Sequence, residues 1–497
     1  MSKLCLVTGA TGYVGGRLVP ELLKAGHKVR ILVRHPERVS QMPWHDQVEI
    51  FAGDANDSAS LNLAMQDVEV AYYMIHAIGS AGDFEEVERH TAETFAKCAK
   101  QAGVQRIVYL GGLQNGKNLS KHLRSRAEVG NIFLKSGVPT IAFGAAVILG
   151  SGSLSFEMLR YLTERLPAMI TPLWVRTKIQ PIAIRDVLRY LTESASLTAE
   201  LNRTFDIGGP DVLTYEQMMQ SYAKVAGLRR RIILPINLLS PGLSSRWIGL
   251  VTPVPKAIAR PLVDSLKTEV VCAEDDIKTY IPDPPEGLLN FEDAVGLALQ
   301  RVKDAAVTTR WSSASTPGAP SDPLPTDPEW AGGSLYTDER EVASGASANA
   351  LWQVIERIGG ENGWYSFPLA WETRGLLDRI FGGPGLRRGR RNPNYLVAGE
   401  TVDFWRVEEC DRGHLLRLRA EMKMPGLAWL ELEVKPQPDG SANYHQRAIY
   451  HPKGLAGHIY WWSVWPFHGI VFGSMVKNIS QAARNIDAGN VKQTDAK

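Results

Sequence analysis

The chain has 497 residues, 44% of them hydrophobic and 22% charged, and its 55 basic and 53 acidic side chains leave a net charge of +2. A chain of this length exceeds one ordinary hydrophobic core, so we expect at least two domains. The near-neutral balance is not that of a nucleic-acid-binding protein, and we expect no nucleic-acid partner.

The cysteines and the N-terminus indicate in which cellular compartment the protein is expected. Cys5, Cys98, Cys272 and Cys410 lie too far apart for a metal or redox motif. The first apolar strand follows Met1-Ser2-Lys3 directly, without the basic region, apolar segment and cleavage site of an export signal. We therefore expect reduced thiols in a cytoplasmic protein.

A glycine-rich turn lies between a buried strand and a helix at the start of the chain. The apolar residues 5–7 run through Thr8 into Gly9-Ala10-Thr11-Gly12-Tyr13-Val14-Gly15. In this context the first glycine permits the tight turn, the second lets the backbone approach a pyrophosphate, and the third lets helix and strand pack closely. The helix N-terminus then holds the phosphates. The sequence predicts a dinucleotide site in which the pyrophosphate contacts Gly9, Thr11, Gly12, Tyr13, Val14 and Gly15.

The second apolar run, residues 28–33, ends at Arg34, about twenty residues beyond the glycines. NAD-preferring folds place Asp or Glu there, on the ribose 2′-hydroxyl. An arginine instead suits a 2′-phosphate, to which it can donate two charge-assisted hydrogen bonds. We favour NADP(H) over NAD(H), which is still possible. The alternative is that Arg34 is a solvated surface charge.

An acidic turn follows the third strand. Asp54 comes directly after the apolar segment 48–51 and Ala52-Gly53. At the carboxyl end of a strand its carboxylate could accept a hydrogen bond from the adenine amino group. Equally, Asp54 could cap the helix expected at 58–65.

Strands and helices then alternate. We expect strands at 68–75, 106–110 and 140–143 and helices at 83–102 and 124–135, with loops at 76–79 and 111–113. His76 and Gly111 lie in these loops and are expected to border the nicotinamide. The alternation predicts an α/β fold, a doubly wound parallel sheet with right-handed crossovers.

This part of the chain resembles the short-chain dehydrogenase/reductase superfamily, and more closely its atypical, NmrA-like branch of NAD(P)-binding proteins. The resemblance covers about 1–303, and it implies a Rossmann domain with a small substrate lobe. The segments that carry it are Thr8-Gly9-Ala10-Thr11-Gly12-Tyr13-Val14-Gly15, Gly53-Asp54, Tyr73-Met74-Ile75-His76, Ser125-Arg126-Ala127-Glu128, Gln180-Pro181-Ile182-Ala183-Ile184-Arg185-Asp186-Val187 and Phe205-Asp206-Ile207-Gly208-Gly209-Pro210.

The sequence departs from that superfamily where its catalytic members place a tyrosine four residues before a lysine. Alignment on Ser125-Arg126-Ala127-Glu128 puts His122 at the tyrosine and Arg126 at the lysine, while Gly111-Gly112 replaces the usual serine. In one interpretation His122 is the proton donor and Arg126 clamps the ribose or substrate. In the other, the site binds the cofactor without catalysis, and His122 is structural.

The substrate lobe implied by the resemblance contains two notable stretches. A helix is predicted at 154–166, where Phe156, Leu159 and Leu162 share one face. The stretch 228–261 is rich in Pro, Leu and Ile and starts beside three arginines. It could line an apolar cleft, lie on a membrane surface, or form a buried helix pair. A helix at 290–303 completes the lobe.

The composition changes abruptly at 304–334, where Pro, Ser and Thr dominate. Such a stretch cannot bury enough apolar area to offset its ordering entropy, so we expect a linker. A second domain, 335–490, is predicted beyond it. We expect a helix at 348–358, strands at 401–407, 414–420, 428–434 and 443–450, and a long helix at 455–486. The alternation in the strands predicts an antiparallel sheet.

This order resembles the α+β helix-grip architecture of the START/Bet v 1-like superfamily. It also looks like the domain of unknown function that follows NmrA-like domains in bacterial proteins of this length. The resemblance rests on residues 385–391, 403–407 and 420–426. It implies an apolar small-molecule ligand held between the sheet and the last helix.

Two further segments in this domain suggest surface contacts. Residues 454–476 contain no Asp, Glu, Lys or Arg and lie between Lys453 and Lys477. Their length permits a membrane span, but Pro466 and the central tryptophans favour a core helix, with peripheral membrane contact possible. The four arginines at 387, 388, 390 and 391 could bind an anionic head group or an acidic partner, or form a solvated loop.

Two functions are consistent with these observations. The first is an NADP-dependent oxidoreductase acting on an apolar or lipid-like substrate. The second is a non-catalytic NADP(H)-sensing or assembly-scaffold protein. A membrane-attached protein that uses 454–476 is a third, less favoured class.

Overall fold

The computed structural model describes residues 2–40, 42–76, 84–114, 119–198, 200–236, 265, 267–306, 335–360, 363–366, 394–422 and 424–489. The chain divides into two compact units, Met1–Gly333 and Ser334–Lys497. Several predictions concern segments outside the described residues. They are those for the end of the loop at 76–79, most of 228–261, the linker from 307 onward and the arginine cluster at 387–391.

The first unit is built on a seven-stranded parallel sheet with the order β11-β6-β5-β4-β1-β2-β3. The strands are β1 (Leu4–Thr8), β2 (Lys28–Val33), β3 (Glu49–Ala52), β4 (Val70–Tyr73), β5 (Arg106–Gly112), β6 (Thr140–Ala145) and β11 (Arg203–Ile207). The order reverses between β1 and β4, and this reversal leaves a crevice at the carboxyl ends of the strands. The predicted doubly wound α/β fold is confirmed.

Helices cover the sheet. They are α1 (Tyr13–Lys24), α2 (Ser58–Ala64), α3 (Phe84–Gln101), α4 (Lys121–Leu134) and α6 (Ile184–Ser194). The central strands are buried almost throughout, because apolar side chains on both of their faces pack against helices. One local expectation was wrong, because Gly111 and Gly112 continue β5 instead of forming a loop. Residues 205–207 lie in the main sheet beside β6.

A smaller lobe follows the sheet in the same unit. It contains α5 (Leu154–Arg165), α7 (Tyr215–Val225) and α8 (Phe291–Ala306), together with three two-stranded pieces. These pair β7 (Ile148–Leu149) with β10 (Ile182–Ala183), β8 (Ala168–Pro172) with β13 (Ile232–Ile236), and β9 (Lys178–Ile179) with β12 (Leu213–Thr214). Phe156, Tyr222 and Val295 are central to its separate apolar core.

The second unit holds a six-stranded antiparallel sheet with the order β14-β19-β18-β17-β16-β15, which confirms the predicted arrangement. Its elements are β14 (Tyr336–Ser347), α9 (Ala348–Glu356), β15 (Thr401–Val402), β16 (Trp405–Asp411), β17 (Leu415–Ala420), β18 (Gly426–Pro436), β19 (Ser441–Pro452) and α10 (Gly454–Asp487). The sheet and the second half of α10 enclose one apolar core, with Met475, Ile479 and Ala483 fully buried.

Two predictions for this sheet were wrong. The single strand expected at 401–407 is a hairpin, because Asp403 adopts a φ of 54° and turns the chain. Its carboxylate accepts hydrogen bonds from the Trp364 indole and the Gly360 amide, at 2.7 and 3.1 Å. The strand β14 was missed altogether. Among the described strands it pairs only with β19, and the charged side chains of this edge strand hide the apolar alternation.

The last helix is apolar on more than its buried side. The expected core packing holds for its second half, whereas several large apolar residues before Val471 are exposed. No helix within the described ranges has the length and apolar character that a bilayer-spanning helix needs.

Candidate functional site

A cavity of about 570 Å³ lies at the carboxyl ends of β1, β4 and β5, where the strand order reverses. Eleven of the twelve predicted site residues line it. They are Gly9, Thr11, Gly12, Tyr13, Val14, Arg34, Asp54, His76, Gly111, His122 and Arg126. The structure thus brings together side chains that the sequence spreads over more than a hundred positions.

The twelfth residue, Gly15, lies behind the wall and has a packing role. A Cβ atom on Gly15 would approach the Gly9 carbonyl oxygen to 2.2 Å, and one on Gly9 would approach the Met74 carbonyl oxygen to 2.5 Å. Gly9 also has a φ of 74°, which an L side chain rarely adopts. The turn is therefore possible only with glycine at both positions.

The glycine turn leaves the start of α1 open to a ligand. Gly12 is the N-cap, no side chain caps the helix, and the first turn carries no acidic residue. The free amide groups and the positive end of the helix dipole favour an anion. These features fit the pyrophosphate of a dinucleotide.

Arg34 and Asp54 lie on the cavity wall beyond β2 and β3. Within the described ranges Arg34 is exposed and has no ion-pair partner. Asp54 accepts hydrogen bonds from the backbone and side-chain amides of Asn56, at 2.9 and 3.1 Å. Asp54 does not cap the next helix. Asp57 does, by accepting from Ala59 and Ser60, so the capping alternative for Asp54 was wrong.

A buried carboxylate organises the opposite end of the cavity. The Glu88 side chain, on α3, is 3% exposed, and its Oε1 lies 2.7 Å from His76 Nδ1. Ser125 donates a hydrogen bond to Oε2, and Arg126 Nη1 lies 3.9 Å from Oε1. We call these four residues the Glu88 cluster. Arg126 also donates to the carbonyls of Ile75 and Leu110, which fixes its guanidinium between β4 and β5.

Charge is distributed unevenly in this cluster. Burial raises the pKa of Glu88, but His76, Arg126 and Ser125 outweigh this and hold its pKa at about 2. Glu88 is therefore an anion at neutral pH. Burial and Arg126 lower the pKa of His76, so its imidazole is neutral there.

His122 stacks on His76, with ring centroids 4.9 Å apart. Burial, then His76 and Arg126, lower its pKa to about 3. Its Nδ1 is buried and has no hydrogen-bond partner among the described residues. The predicted proton donor is thus a neutral imidazole at pH 7, which can donate a hydrogen bond but is a poor proton acceptor.

The far end of the cavity belongs to the smaller lobe and is largely apolar. Val147, Leu154, Met158 and Val270 line it, with the hydroxyl groups of Ser153, Ser155 and Tyr215 among them. The Gln-Pro-Ile and Gly-Gly-Pro segments lie next to this lobe. Gln180 donates to the Gly209 carbonyl at 2.8 Å, and Gly209 donates back to the Pro181 carbonyl at 2.9 Å.

Sequence reasoning missed several polar residues of the wall. Glu88 is the most important, and a signal for it exists. It shares the buried face of α3 with Thr91, Ala92 and Phe95, and a carboxylate on an apolar face needs a partner. Asn56 and Thr91, which hydrogen bond to each other on the adenine side, carry no comparable signal.

Sequence comparisons find a matching protein family for each of two parts of the chain. Residues 9–136 match the family described as NAD(P)H-binding. The N-terminal part of the chain is thus similar to NAD(P)H-binding domains, and the fold of the first unit is Rossmann-like. Residues 330–475 match the family described as Protein of unknown function (DUF2867).

Individual relatives match part of the chain. A 3 beta-hydroxysteroid dehydrogenase/Delta 5-->4-isomerase of Mycobacterium tuberculosis is 31% identical over 128 residues, which are 23% of this chain and 34% of the relative. The chain thus spans about a third of the length of that protein. A (4-alkanoyl-5-oxo-2,5-dihydrofuran-3-yl)methyl phosphate reductase of Streptomyces griseus is 24% identical over 54% of this chain and 87% of the relative.

One further relative and one solved structure extend this picture. Subunit 9 of the NADH dehydrogenase [ubiquinone] 1 alpha subcomplex from Arabidopsis thaliana is 23% identical over 55% of this chain and 71% of the subunit. The triphenylmethane reductase of Citrobacter sp. superposes with a TM-score of 0.50 at 21% identity, covering 60% of this chain and 99% of the reductase. At this identity the structural likeness shows the fold.

Proposed function

We propose that the protein is an NADP(H)-dependent oxidoreductase acting on an apolar or lipid-like substrate. The observation that carries this proposal is one continuous cavity with three chemically distinct parts. The glycine turn suits a pyrophosphate, the Glu88 cluster supplies a fixed imidazole, and the apolar end accommodates a substrate. The names of the Mycobacterium and Streptomyces relatives, a dehydrogenase and a reductase, support a redox reaction.

The residues present fit the dinucleotide. The amide groups at the start of α1 would bind the pyrophosphate, Arg34 the 2′-phosphate, and Asp54 the adenine amino group. His76 and Gly111 would border the nicotinamide ring. When bound, the nicotinamide supplies or accepts the hydride.

The proton in this reaction moves through His76. An ionised carboxylate can only accept hydrogen bonds, so the Glu88 anion places the ring proton of His76 on Nδ1. Nε2 then carries a lone pair and is the ring nitrogen left for the cavity. In alcohol oxidation Nε2 takes the hydroxyl proton as hydride leaves the carbon. In carbonyl reduction Nε2 first takes a proton from solvent, and it donates that proton to the substrate oxygen as the hydride arrives at the carbon.

Glu88 acts in this scheme as a positioning residue. It fixes the tautomer and the ring plane of His76, as a buried carboxylate does for other catalytic histidines. Arg126 holds the carboxylate from the other side and lies under the Tyr109 ring, at 4.8 Å from its centroid. His122 packs against the flat face of His76 and excludes water there.

Replacement of single residues tests this proposal. His76→Gln should lower turnover of apolar ketones or alcohols at least a hundredfold while leaving NADPH affinity within about threefold. His122→Gln is the matched control, since it removes the stacked imidazole without removing the proton-transfer group. Equal losses in the two variants would contradict the role of His76.

Imidazole NMR of the unliganded protein provides a readout that does not need turnover. The His76 signals, assigned by their loss in His76→Gln, should show the proton on Nδ1 at neutral pH. In Glu88→Gln the pKa of His76 should fall, because the anion that favours imidazolium is gone. A proton found on Nε2 in the wild type would refute the Glu88–His76 assignment.

A second candidate is a non-catalytic NADP(H)-sensing or assembly-scaffold protein. The alignment with 71% of a protein named as a subunit of an NADH dehydrogenase [ubiquinone] subcomplex favours it. Tight NADPH binding with no turnover of any apolar substrate, and no effect of His76→Gln, would support this candidate.

An apolar ligand can enter the second unit only if its core opens. Phe472, Met475 and Ile479 already fill the space between the sheet and α10. We therefore place the apolar substrate of the proposed reaction in the first unit and the contacts of the second unit on its surface.

A further inference from the structure

The first half of α10 carries large apolar side chains that the fold of the second unit leaves uncovered. Six of them are between 42% and 63% exposed, and together they form what we call the outer face. Its members are Leu455, Ile459, Trp462, Trp465, Phe467 and Ile470. Exposed apolar patches of this size are uncommon on soluble proteins and mark interaction sites.

The opposite side of the same helix half is firmly anchored. Trp461 stacks on Tyr336 and Tyr450, with ring centroids 5.0 and 5.7 Å away and nearly parallel planes. His458 shares a hydrogen bond of 2.8 Å with the Tyr336 hydroxyl. The helix is thus held to the sheet mainly through its inner side, and of the outer face Trp462 also meets the Tyr336 ring edge-on, with centroids 5.9 Å apart.

The outer face forms a stripe along the helix. Leu455, Ile459, Trp462 and Ile470 recur at spacings of three, four and eight residues, which places them on one side. At about 1.5 Å per residue the stripe is roughly 22 Å long. It is therefore long enough to lie along a flat surface.

The charged residues that bound this segment in the sequence are basic. Residues 454–476 contain no Asp, Glu, Lys or Arg, and Lys453 and Lys477 at the two ends are exposed. Lys477 lies eighteen residues, or about five helical turns, beyond Ile459, so it belongs to the same side of the helix. An apolar stripe with tryptophans and basic ends is typical of helices that lie in the plane of a membrane interface.

We propose that the outer face docks on the surface of an anionic lipid bilayer, with the helix parallel to the interface. A protein partner would need hydrogen-bond groups at the contact, about one per 100–200 Å². The stripe offers few, namely the indole N–H groups of Trp462 and Trp465, because the hydroxyl of Ser463 already donates to the Tyr460 carbonyl. A bilayer requires only apolar side chains that enter the interface and lysines that meet anionic head groups.

Vesicle flotation of the full-length protein tests this inference, which does not depend on the proposed enzymatic function. The probes are phosphatidylcholine vesicles with about 30% phosphatidylglycerol and vesicles of phosphatidylcholine alone. The wild type should bind the anionic vesicles, and binding should weaken on neutral vesicles and in high salt. The double variant Ile459→Glu/Trp462→Glu should bind about a hundredfold more weakly.

The matched control is Val342→Glu/Val397→Glu. It adds the same two charges at positions of the same unit that are 36% and 46% exposed but lie outside α10. The control should bind like the wild type. Circular dichroism and thermal unfolding test whether both variants are folded. If the double variant is unfolded, the milder single variant Ile470→Ser takes its place.

Three results would overturn the proposal. One is a wild type that does not bind anionic vesicles, and another is equal binding by the double variant and the control. The third is a lipid-free dimer of the wild type that the double variant abolishes, since it would assign the outer face to a second copy of the chain.

Discussion

The two ends of the cavity recognise their ligands by different physical means. At the glycine turn the recognition groups are backbone amides, and the residues that shape the turn are neighbours in sequence. At the Glu88 cluster the groups are side chains from β4, α3 and α4 that meet only in the folded protein. The binding groups of the first end are therefore specified by local sequence, whereas those of the second end come together only through the tertiary fold. Variants at each end should fail in different ways.

Gly15→Ala should have the largest effect. The new Cβ atom meets backbone at 2.2 Å, so β1 and α1 must separate. We expect a loss of about 2–4 kcal/mol in the free energy of unfolding, together with loss of NADPH binding.

Gly469→Ala is the control for Gly15→Ala, because no other residue lies within 4 Å of its added Cβ. It should stabilise the helix by up to about 1 kcal/mol. Urea unfolding monitored by circular dichroism measures both. An unchanged stability of Gly15→Ala would refute the packing role of that glycine.

Arg34→Asp should alter cofactor choice without unfolding the protein. Loss of the bidentate contact should weaken NADPH binding about 10- to 100-fold, while NADH binding improves because an acid can accept from the 2′-hydroxyl. Fluorescence titration measures both affinities. Arg38→Asp, which makes the same charge change at an exposed position four residues later, should change neither affinity by more than about twofold.

His122→Asn should change the pH dependence of stability at the Glu88 end. The folded-state pKa of His122 is lowered to about 3, so the unfolded chain binds a proton that the native state excludes. The contribution of neutral His122 to the free energy of unfolding is fully present above the unfolded-state pKa of about 6.5. This contribution declines as the pH falls from there towards 3.

Between pH 7 and 5 the free energy of unfolding of the wild type should therefore fall by on the order of 1–2 kcal/mol more than that of His122→Asn. His35→Asn, at an imidazole 58% exposed, is the control. Free energies of unfolding measured at the two pH values test this prediction. A decline of the same size in the wild type and His122→Asn would contradict the burial of a neutral His122.

Two aspartates near the adenine side should separate stability from binding. Asp57→Ala removes the N-cap of α2 and should cost about 1 kcal/mol of stability with NADPH affinity unchanged. Asp54→Ala should leave stability within about 0.5 kcal/mol and weaken NADPH binding several-fold. A reversed pattern would show that the two roles were exchanged.

The comparison also explains what could be predicted from the sequence. Alternating strands and helices gave the parallel sheet, because apolar periodicity is a local property. The glycine turn was equally accessible, since Gly9 and Gly15 act through their missing side chains. Glu88 was missed although it lies on the apolar face of α3, because the helix contains several other carboxylates and the partner His76 comes from a distant part of the sequence.

The second unit shows the same limit. The inner strands of its sheet were predicted from their alternation, but the edge strand β14 and the turn at Asp403 were missed. An edge strand needs no apolar outer side chains, and a single residue with positive φ leaves no periodic signal. The exposure of one side of α10 could not be predicted either, because the sequence pattern of an apolar helix is the same whether one or both of its sides are buried.

Direct titration of the full-length protein with NADPH tests the central claim most simply. Isothermal calorimetry should show one saturable site per chain, with NADH binding more weakly and adenosine 2′,5′-bisphosphate competing with NADPH. Equal affinity for NADPH and NADH would contradict the assignment of Arg34 to the 2′-phosphate. Absence of binding for both would contradict the claim that this cavity is a working dinucleotide site.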